Sequence, residues 1–341
     1  MTSTENNVQP EPAQEAAIPK KLAILVVYHL RDGTDMRLLQ LHLDRIERHT
    51  ADTYKVFAAT NRASIDAREV LDARSDVIIC DIPSTELRGS REHAYYLDAL
   101  VQFALADGAS HFITLDVDSF PIDDRWIGVL EATADPGSGL AAILRSENGD
   151  VDLPHPSCTF ATRGFFERFN VSFSPDSDFV PEFRRFLRAT RQAGDTGIRL
   201  AYVLWSAGLK WGQLHRSNAI DVHYLMAGIY DDVVFHLGAG GRDALFRRDR
   251  QTSLPHRLSE PIERFPARRA FAIRIKKRLL RMIRSRAERT LIETNNVIAE
   301  LSRDWLLSDP DGLLAYLRGN APTQDSEWIA KLRSISDVAH R

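Results

Sequence analysis

His111-Phe-Ile-Thr-Leu-Asp116-Val-Asp118-Ser119-Phe-Pro121 is the stretch on which the reading of this chain turns. An apolar run that stops at two carboxylates one residue apart has the composition of a buried parallel strand with acids at its C-terminal end. In open α/β sheets that end of the strands is where ligands bind. Neighbouring carboxylates repel each other. A hard divalent cation such as Mg2+ or Mn2+ relieves the repulsion and still offers coordination sites to phosphate oxygens. The plainer alternative is a strand followed by a polar turn, because Asp, Ser and Pro are ordinary turn residues.

Working outward, the preceding residues alternate short apolar runs with helical spacings, the pattern of βαβ units and a parallel sheet. Leu22–Tyr28, Tyr54–Thr60 and Val77–Cys80 read as strands. Met36–His49, Ile65–Ala73 and Gly89–Ala106 read as the helices between them. Beyond Pro121, strands are expected at Leu140–Leu144, Cys158–Arg163 and Val233–Leu237, and helices at Pro181–Ala193 and Gly197–Ala207. From Phe265 the chain reads as helical, with a Pro-Asp-Gly turn at 310–312. The expected organisation is a disordered tail over 1–19, an α/β domain over 20–245, a linker or flexible loop over 246–262 and a helical region over 263–341. The sheet is expected to be mostly parallel and flanked by helices.

Composition narrows the class. At 44% hydrophobic and 27% charged, the 341 residues match an ordinary water-soluble globular protein. No apolar run approaches the ~20 residues that cross a bilayer, and residues 1–19 lack the apolar core of a secretory signal. The two cysteines, Cys80 and Cys158, have no metal-type spacing and suit a reducing compartment, so a cytoplasmic location is expected. Eleven Lys/Arg face a single acid between Arg264 and Arg289, which puts +10 on that segment and −13 on the rest of a chain of net charge −3. A dispersed nucleic-acid footprint is therefore absent.

Taken with its surroundings, the Asp116-Val117-Asp118 sequence resembles the DxD motif of GT-A glycosyltransferases, over residues 22–241. The resemblance implies a Rossmann-like nucleotide-binding fold in which the acids hold Mn2+ or Mg2+ against the diphosphate of a nucleotide-sugar, UDP-sugars being favoured. It implies Asp118 as the direct ligand and Asp116 towards ribose or through water, with Val117 between them on the nucleotide side. His236, in Phe235-His-Leu-Gly-Ala-Gly-Gly-Arg242, is the implied third ligand. Arg88-Gly89-Ser90-Arg91-Glu92-His93 is similar to the family's nucleotide-lining stretch, with His93 where Asn is commoner. A basic, glycine-containing helix start is also physically suited to a diphosphate. Tyr28 and Asn61, at strand ends, are the implied base and ribose contacts.

Asp195-Thr-Gly-Ile-Arg-Leu200 followed by Gly208-Leu-Lys210 resembles the acceptor segment of inverting members, whose Asp is the general base. Gly194 replaces the usual preceding acid, and Asp195 also suits a helix N-cap. Trp211 and His215 are candidate acceptor contacts. Apolar residues at steps of three or four between Ala272 and Leu291 mark a basic amphipathic helix. It fits either a lipid surface or a docking site on protein. The activity implied is sugar transfer to the hydroxyl of a polysaccharide, glycolipid or other glycoconjugate. Homo-oligomerisation and peripheral membrane contact through 264–289 stay open. Two other readings of the acids are a phosphatase or phosphomutase with Asp116 as nucleophile, and a nucleotide-sugar-binding module without turnover.

Overall fold

The computed structural model describes residues 20–30, 33–176, 180–190, 192, 194–238, 246, 248–249, 253–264, 270–320 and 327–332. Its centre is a seven-stranded sheet of order β3-β2-β1-β4-β7-β6-β8. The strands are β1 Leu22–Leu30, β2 Tyr54–Ala63, β3 Val77–Ile79, β4 His111–Leu115, β6 Leu140–Ile143, β7 His155–Thr162 and β8 Gly212–Leu214. All run in one direction except β7, which is antiparallel to both β4 and β6. A second, antiparallel sheet joins β5 Ser119–Pro121, β10 Val234–His236 and β9 Gly228–Tyr230.

Alternation along β1 builds a core on each face of the main sheet. Leu22, Ile24, Val26, Tyr28 and Leu30 point to one side. There they meet Leu39, Leu43 and Ile46 of α1 (Gly33–His49), Ala67 and Leu71 of α2 (Ile65–Asp72) and Trp126 of α4 (Trp126–Thr133). Ala23 and Leu25 point to the other side, against Leu97, Leu100 and Val101 of α3 (Ser90–Ala106). Phe165 and Phe166 of α5 (Arg163–Phe169) and Leu200 and Leu204 of α7 (Ile198–Ser206) complete that layer. A smaller cluster under α6 (Pro181–Thr190) buries Phe183 and Phe186. The mostly parallel sheet with helices on both faces expected from the sequence is present.

Three later helices follow: α8 Leu254–Arg264, α9 Ala270–Ser308 and α10 Pro310–Leu317. Two local expectations change here. The 246–262 linker contains most of α8, which keeps its Pro261, because an amphipathic face packs against α9. The Pro-Asp-Gly stretch expected as a turn opens α10: Asp309 caps the Gly312 amide and Pro310 occupies the first turn, where a missing N–H costs nothing. Trp305 and Leu306 of α9 and Leu313, Leu314 and Leu317 of α10 share one core with Phe120, Ile229 and Phe235 of the small sheet. The helical C-terminal region is thus packed directly on the sheet that follows the two acids. The expected 1–19 tail and the glycine-rich stretch at 239–242 lie outside the described residues.

His42 of α1 ties the helical layer to the same loop. It is fully buried, and its Nδ1 lies 3.0 Å from the Ser119 carbonyl oxygen. Burial lowers its pKa from 6.5 to about 4, so the fold holds it neutral. The unfolded chain takes up a proton below about pH 6.5 that the folded chain refuses, so this residue costs stability as pH falls from 6.5 towards 4. Between about pH 7 and 5 the cost is about 2 kcal/mol. His42→Gln keeps a donor for Ser119 and removes the titration. Denaturant unfolding of this variant is expected to show a correspondingly flatter loss of stability over that range. An unchanged pH slope would exclude the assignment.

Candidate functional site

The two acids stand where β4 ends and β5 begins. Asp116 is half-buried and Asp118 buried, and the Ser119 amide donates to the Asp116 carbonyl in a tight turn. Antiparallel pairing then brings in the third group. His236 of β10 sits opposite Ser119 of β5, and the Leu237 amide donates to the Asp118 carbonyl at 2.9 Å. His236 Nε2 lies 3.7 Å from Asp118 Oδ1. One ligand atom from each of Asp116, Asp118 and His236 falls within 4.8 Å of the others.

The electrostatics of this group favour a positive counter-charge. Burial, then the neighbouring Asp118, pushes the Asp116 carboxyl well above the usual carboxylate range. Burial lowers the His236 pKa despite both acids beside it, which keeps the imidazole neutral, the form in which it binds metals. His236 Nδ1 is buried without a hydrogen-bond partner among the described residues. Two carboxylates and a neutral imidazole form a donor set that suits Mn2+ and accommodates Mg2+, and a divalent cation would offset both the burial and the repulsion that raise Asp116.

Further residues converge from other elements. His93, on the first turns of α3, has Nε2 3.6 Å from Asp116 Oδ1. The turn before α3 depends on Gly89, whose φ of 64° and ψ of −135° are open essentially only to glycine. Ser90, next in the chain, donates to Asp195 Oδ1 at 2.6 Å, and the Thr196 amide donates to the same oxygen at 2.8 Å. Asp195 is near enough to Asp116 for its charge to act on it. Its side chain does not cap α7. The N-cap is Gly197, at φ 90°, and no side chain bonds there.

Sequence reasoning passed over His155 and Arg145. His155, at the start of β7, is buried and rests against His236 with ring centroids 5.5 Å apart, its Nδ1 within 2.7 Å of Ser157 Oγ. Burial, reinforced by Arg145, holds its pKa well below 6.5. Arg145 follows β6 and pairs with buried Asp150 at 3.2 Å, while its Nε has no hydrogen-bond partner among the described residues. Its positive charge acts on Asp116, His155 and His236 together. Each residue sits at a strand terminus beside the acid-bearing strand or its neighbour, and that topological position was the available signal.

Other candidates fall elsewhere. Tyr28 is fully buried, edge-on to His42 at 5.8 Å, because strand alternation turns it into the core rather than towards a base. Trp211 is core as well, packed against the helical layer with its Nε1 donating to Asp152 at 2.6 Å. His215 is exposed at the end of the edge strand β8. Its backbone bonds Asp231, and no hydrogen bond or ion pair joins it to the acids among the described residues. Val117 turns its side chain into apolar clusters, so only its backbone faces the turn. Asn61 is exposed and donates to the Ile82 carbonyl, and exposed Arg88 folds back on the Thr85 and Leu87 carbonyls.

The Asp195 loop is held in place by contact with the β7 terminus. A Cβ added to Gly197 would stand 2.4 Å from the Pro154 carbonyl oxygen, in addition to the left-handed φ. Gly197→Ala is expected to cost on the order of 2 kcal/mol or more, read as a lowered unfolding midpoint. A neutral result would mean that this loop does not rest on Pro154.

No protein-family profile matches the chain, and no curated protein matches it either. Solved structures do align with it. One is a Drosophila β-1,4-galactosyltransferase 7 mutant in complex with manganese, UDP-Gal and xylobiose, at 16% identity and TM-score 0.33, covering 64% of this chain and 70% of that one. Another is a mannosyltransferase from Pyrobaculum calidifontis with GDP-Man and Mn2+, at 14% identity and TM-score 0.41, covering 98% and 84%. A third is a CMP:2-keto-3-deoxy-manno-octonic acid synthetase complexed with CTP, at 15% identity and TM-score 0.35, covering 57% and 89%. Likeness at this level leaves the functional reading to the geometry of the chain itself.

Proposed function

We propose that this chain is a metal-dependent glycosyltransferase of GT-A type, moving a sugar from a nucleotide-diphosphate-sugar to an acceptor hydroxyl. The observation that carries the reading is the convergence of Asp116, Asp118 and His236 at the C-terminal end of β4. Those residues would hold Mn2+ or Mg2+. Bound there, the cation supplies charge neutralisation to a diphosphate leaving group.

The chain's own residues account for the rest of the chemistry. Arg145, whose buried Nε has no partner among the described residues, adds a fixed positive charge that acts on the acids and would act on the departing diphosphate. His155 packs on His236 and limits the ring orientations open to it. Among the described residues Asp195 takes its hydrogen bonds on Oδ1. Oδ2 is therefore the oxygen that accepts the proton of an acceptor hydroxyl in an inverting reaction. Ser90 and the Thr196 amide fix the carboxylate for that task. In a retaining reaction the same carboxylate would orient the acceptor instead. The donor side is assigned to the α3 start, with Gly89 allowing close approach and His93 reaching Asp116. A UDP-sugar donor and a carbohydrate or lipid-linked acceptor are the favoured substrates.

A phosphatase acting through Asp116 needs that carboxyl ionised as a nucleophile. Burial and the Asp118 charge oppose this until a cation is present. The decisive experiment measures thermal stabilisation by a nucleoside diphosphate with and without Mn2+, then slow hydrolysis or transfer across a panel of nucleotide-sugars. Mn2+-dependent stabilisation is expected, because a ligand of the native form alone raises the unfolding midpoint. Asp118→Ala should abolish it and lower turnover about 100-fold or more, and Arg145→Met should lower turnover about tenfold or more. Nucleotide binding indifferent to Mn2+ and to Asp118 would sink the reading. Binding without turnover of any donor would leave a sugar-nucleotide-binding module.

A further inference from the structure

The basic segment forms the first half of α9, and its partners are unevenly distributed around the helix. Arg284 reaches α8, donating to Ser259 Oγ at 2.6 Å and pairing with Glu263 at 2.6 Å. Glu288 meets His256 of α8 at 2.9 Å. At about 3.6 residues per turn, Ile275, Leu279 and Met282 lie on roughly the opposite side from Arg284, with Ile283 at the margin. That side is bare. Ile275 is 44%, Leu279 42%, Met282 68% and Ile283 37% exposed. A helix docked by its apolar stripe on the rest of the chain would have buried these residues first, at ~1.5–3 kcal/mol for each fully covered side chain.

The flank of the stripe indicates what covers it. Arg274, Arg278 and Arg281 are exposed alongside it and form no ion pair among the described residues. An apolar stripe bordered by a row of exposed guanidinium groups, on a helix without a membrane-spanning run, matches an interfacial helix lying on anionic lipid. Its apolar side chains would enter the headgroup boundary, and the arginines would stay at the level of the lipid phosphates. We propose that the outer face of α9, from Ile275 to Ile283, is a membrane-contact surface for anionic bilayers. It would seat the protein where a lipid-linked acceptor is found. The proposal goes beyond the sugar-transfer reading and does not need it.

The test is flotation of the full-length chain with vesicles of phosphatidylcholine alone or mixed with phosphatidylglycerol, at low and raised salt. The expected result is binding to the phosphatidylglycerol vesicles only, weakened by salt. Leu279→Glu with Met282→Glu should reduce partitioning about tenfold or more, and so should Arg278→Glu with Arg281→Glu. The altered side chains are exposed, so the unfolding midpoint and Mn2+-dependent nucleotide binding should stay those of the unmodified chain. The charge pair serves as a second arm should the apolar pair unfold. Failure to bind anionic vesicles overturns the proposal, as does equal binding to phosphatidylcholine or binding indifferent to both pairs of substitutions. It is equally overturned by a solution dimer that Leu279→Glu with Met282→Glu converts to monomer, since the stripe would then be covered by a second copy. Lipid partitioning is read without any donor or acceptor sugar, so its outcome is separable from that of the transfer reaction.

Discussion

Mutual repulsion between Asp116 and Asp118 is the constraint around which this molecule is arranged. A parallel strand ends by delivering both carboxyls into partly enclosed space, and burial first, then the charge of Asp118, raises the Asp116 pKa well above its ordinary value. Proteins tolerate such pairs where something positive joins them. Here the pairing of β5 with β10 brings a neutral His236 to Asp118, while Arg145 contributes positive charge from the end of β6. The backbone around the acids is more rigid than a loop would be. Antiparallel hydrogen bonds hold it from β10, and the buried His42 holds it from α1.

The small sheet explains how a long helical C-terminal region belongs to the same unit. Trp305, Leu306, Leu313 and Leu317 bury their surface against Phe120, Ile229 and Phe235, the residues that flank the acid-bearing turn and its histidine. Packing of the last helices therefore bears directly on the geometry of the site. The basic half of α9 extends from this packed end and exposes what the other half buries. One helix thus serves the core at one end and an outward surface at the other.

A second organising contact lies between the α3 start and the Asp195 loop. Ser90 and Asp195 come from segments far apart in the chain, yet they are joined by a short hydrogen bond, and Gly197 leaves room for Pro154 beneath the loop. The helices beside this contact, α3 and α7, each open on a glycine in a conformation other residues avoid, Gly89 and Gly197. The Asp195 carboxylate is held by its own hydrogen bonds, and these glycines admit the backbone path that brings it there.

The parallel sheet was legible in the residues because buried strands and amphipathic helices leave local periodicities, and the apolar run into Asp116-Val-Asp118 announced a ligand-binding edge. Glycine before Ser90 and the short apolar run around His236 were visible for the same reason. Direction across the chain was not legible. Tyr28 and Trp211 look like ligand platforms in sequence, but the side to which a strand, or the residue leading into one, turns an aromatic is settled by what packs against it, and both turn inwards. His155 and Arg145 carry no local mark at all. They matter because β7 runs antiparallel between β4 and β6, which brings the start of one strand and the ends of two others together at a single edge. Local spacing records how a segment folds, whereas long-range pairing alone decides which side chains share a charge, and that is where the site was made.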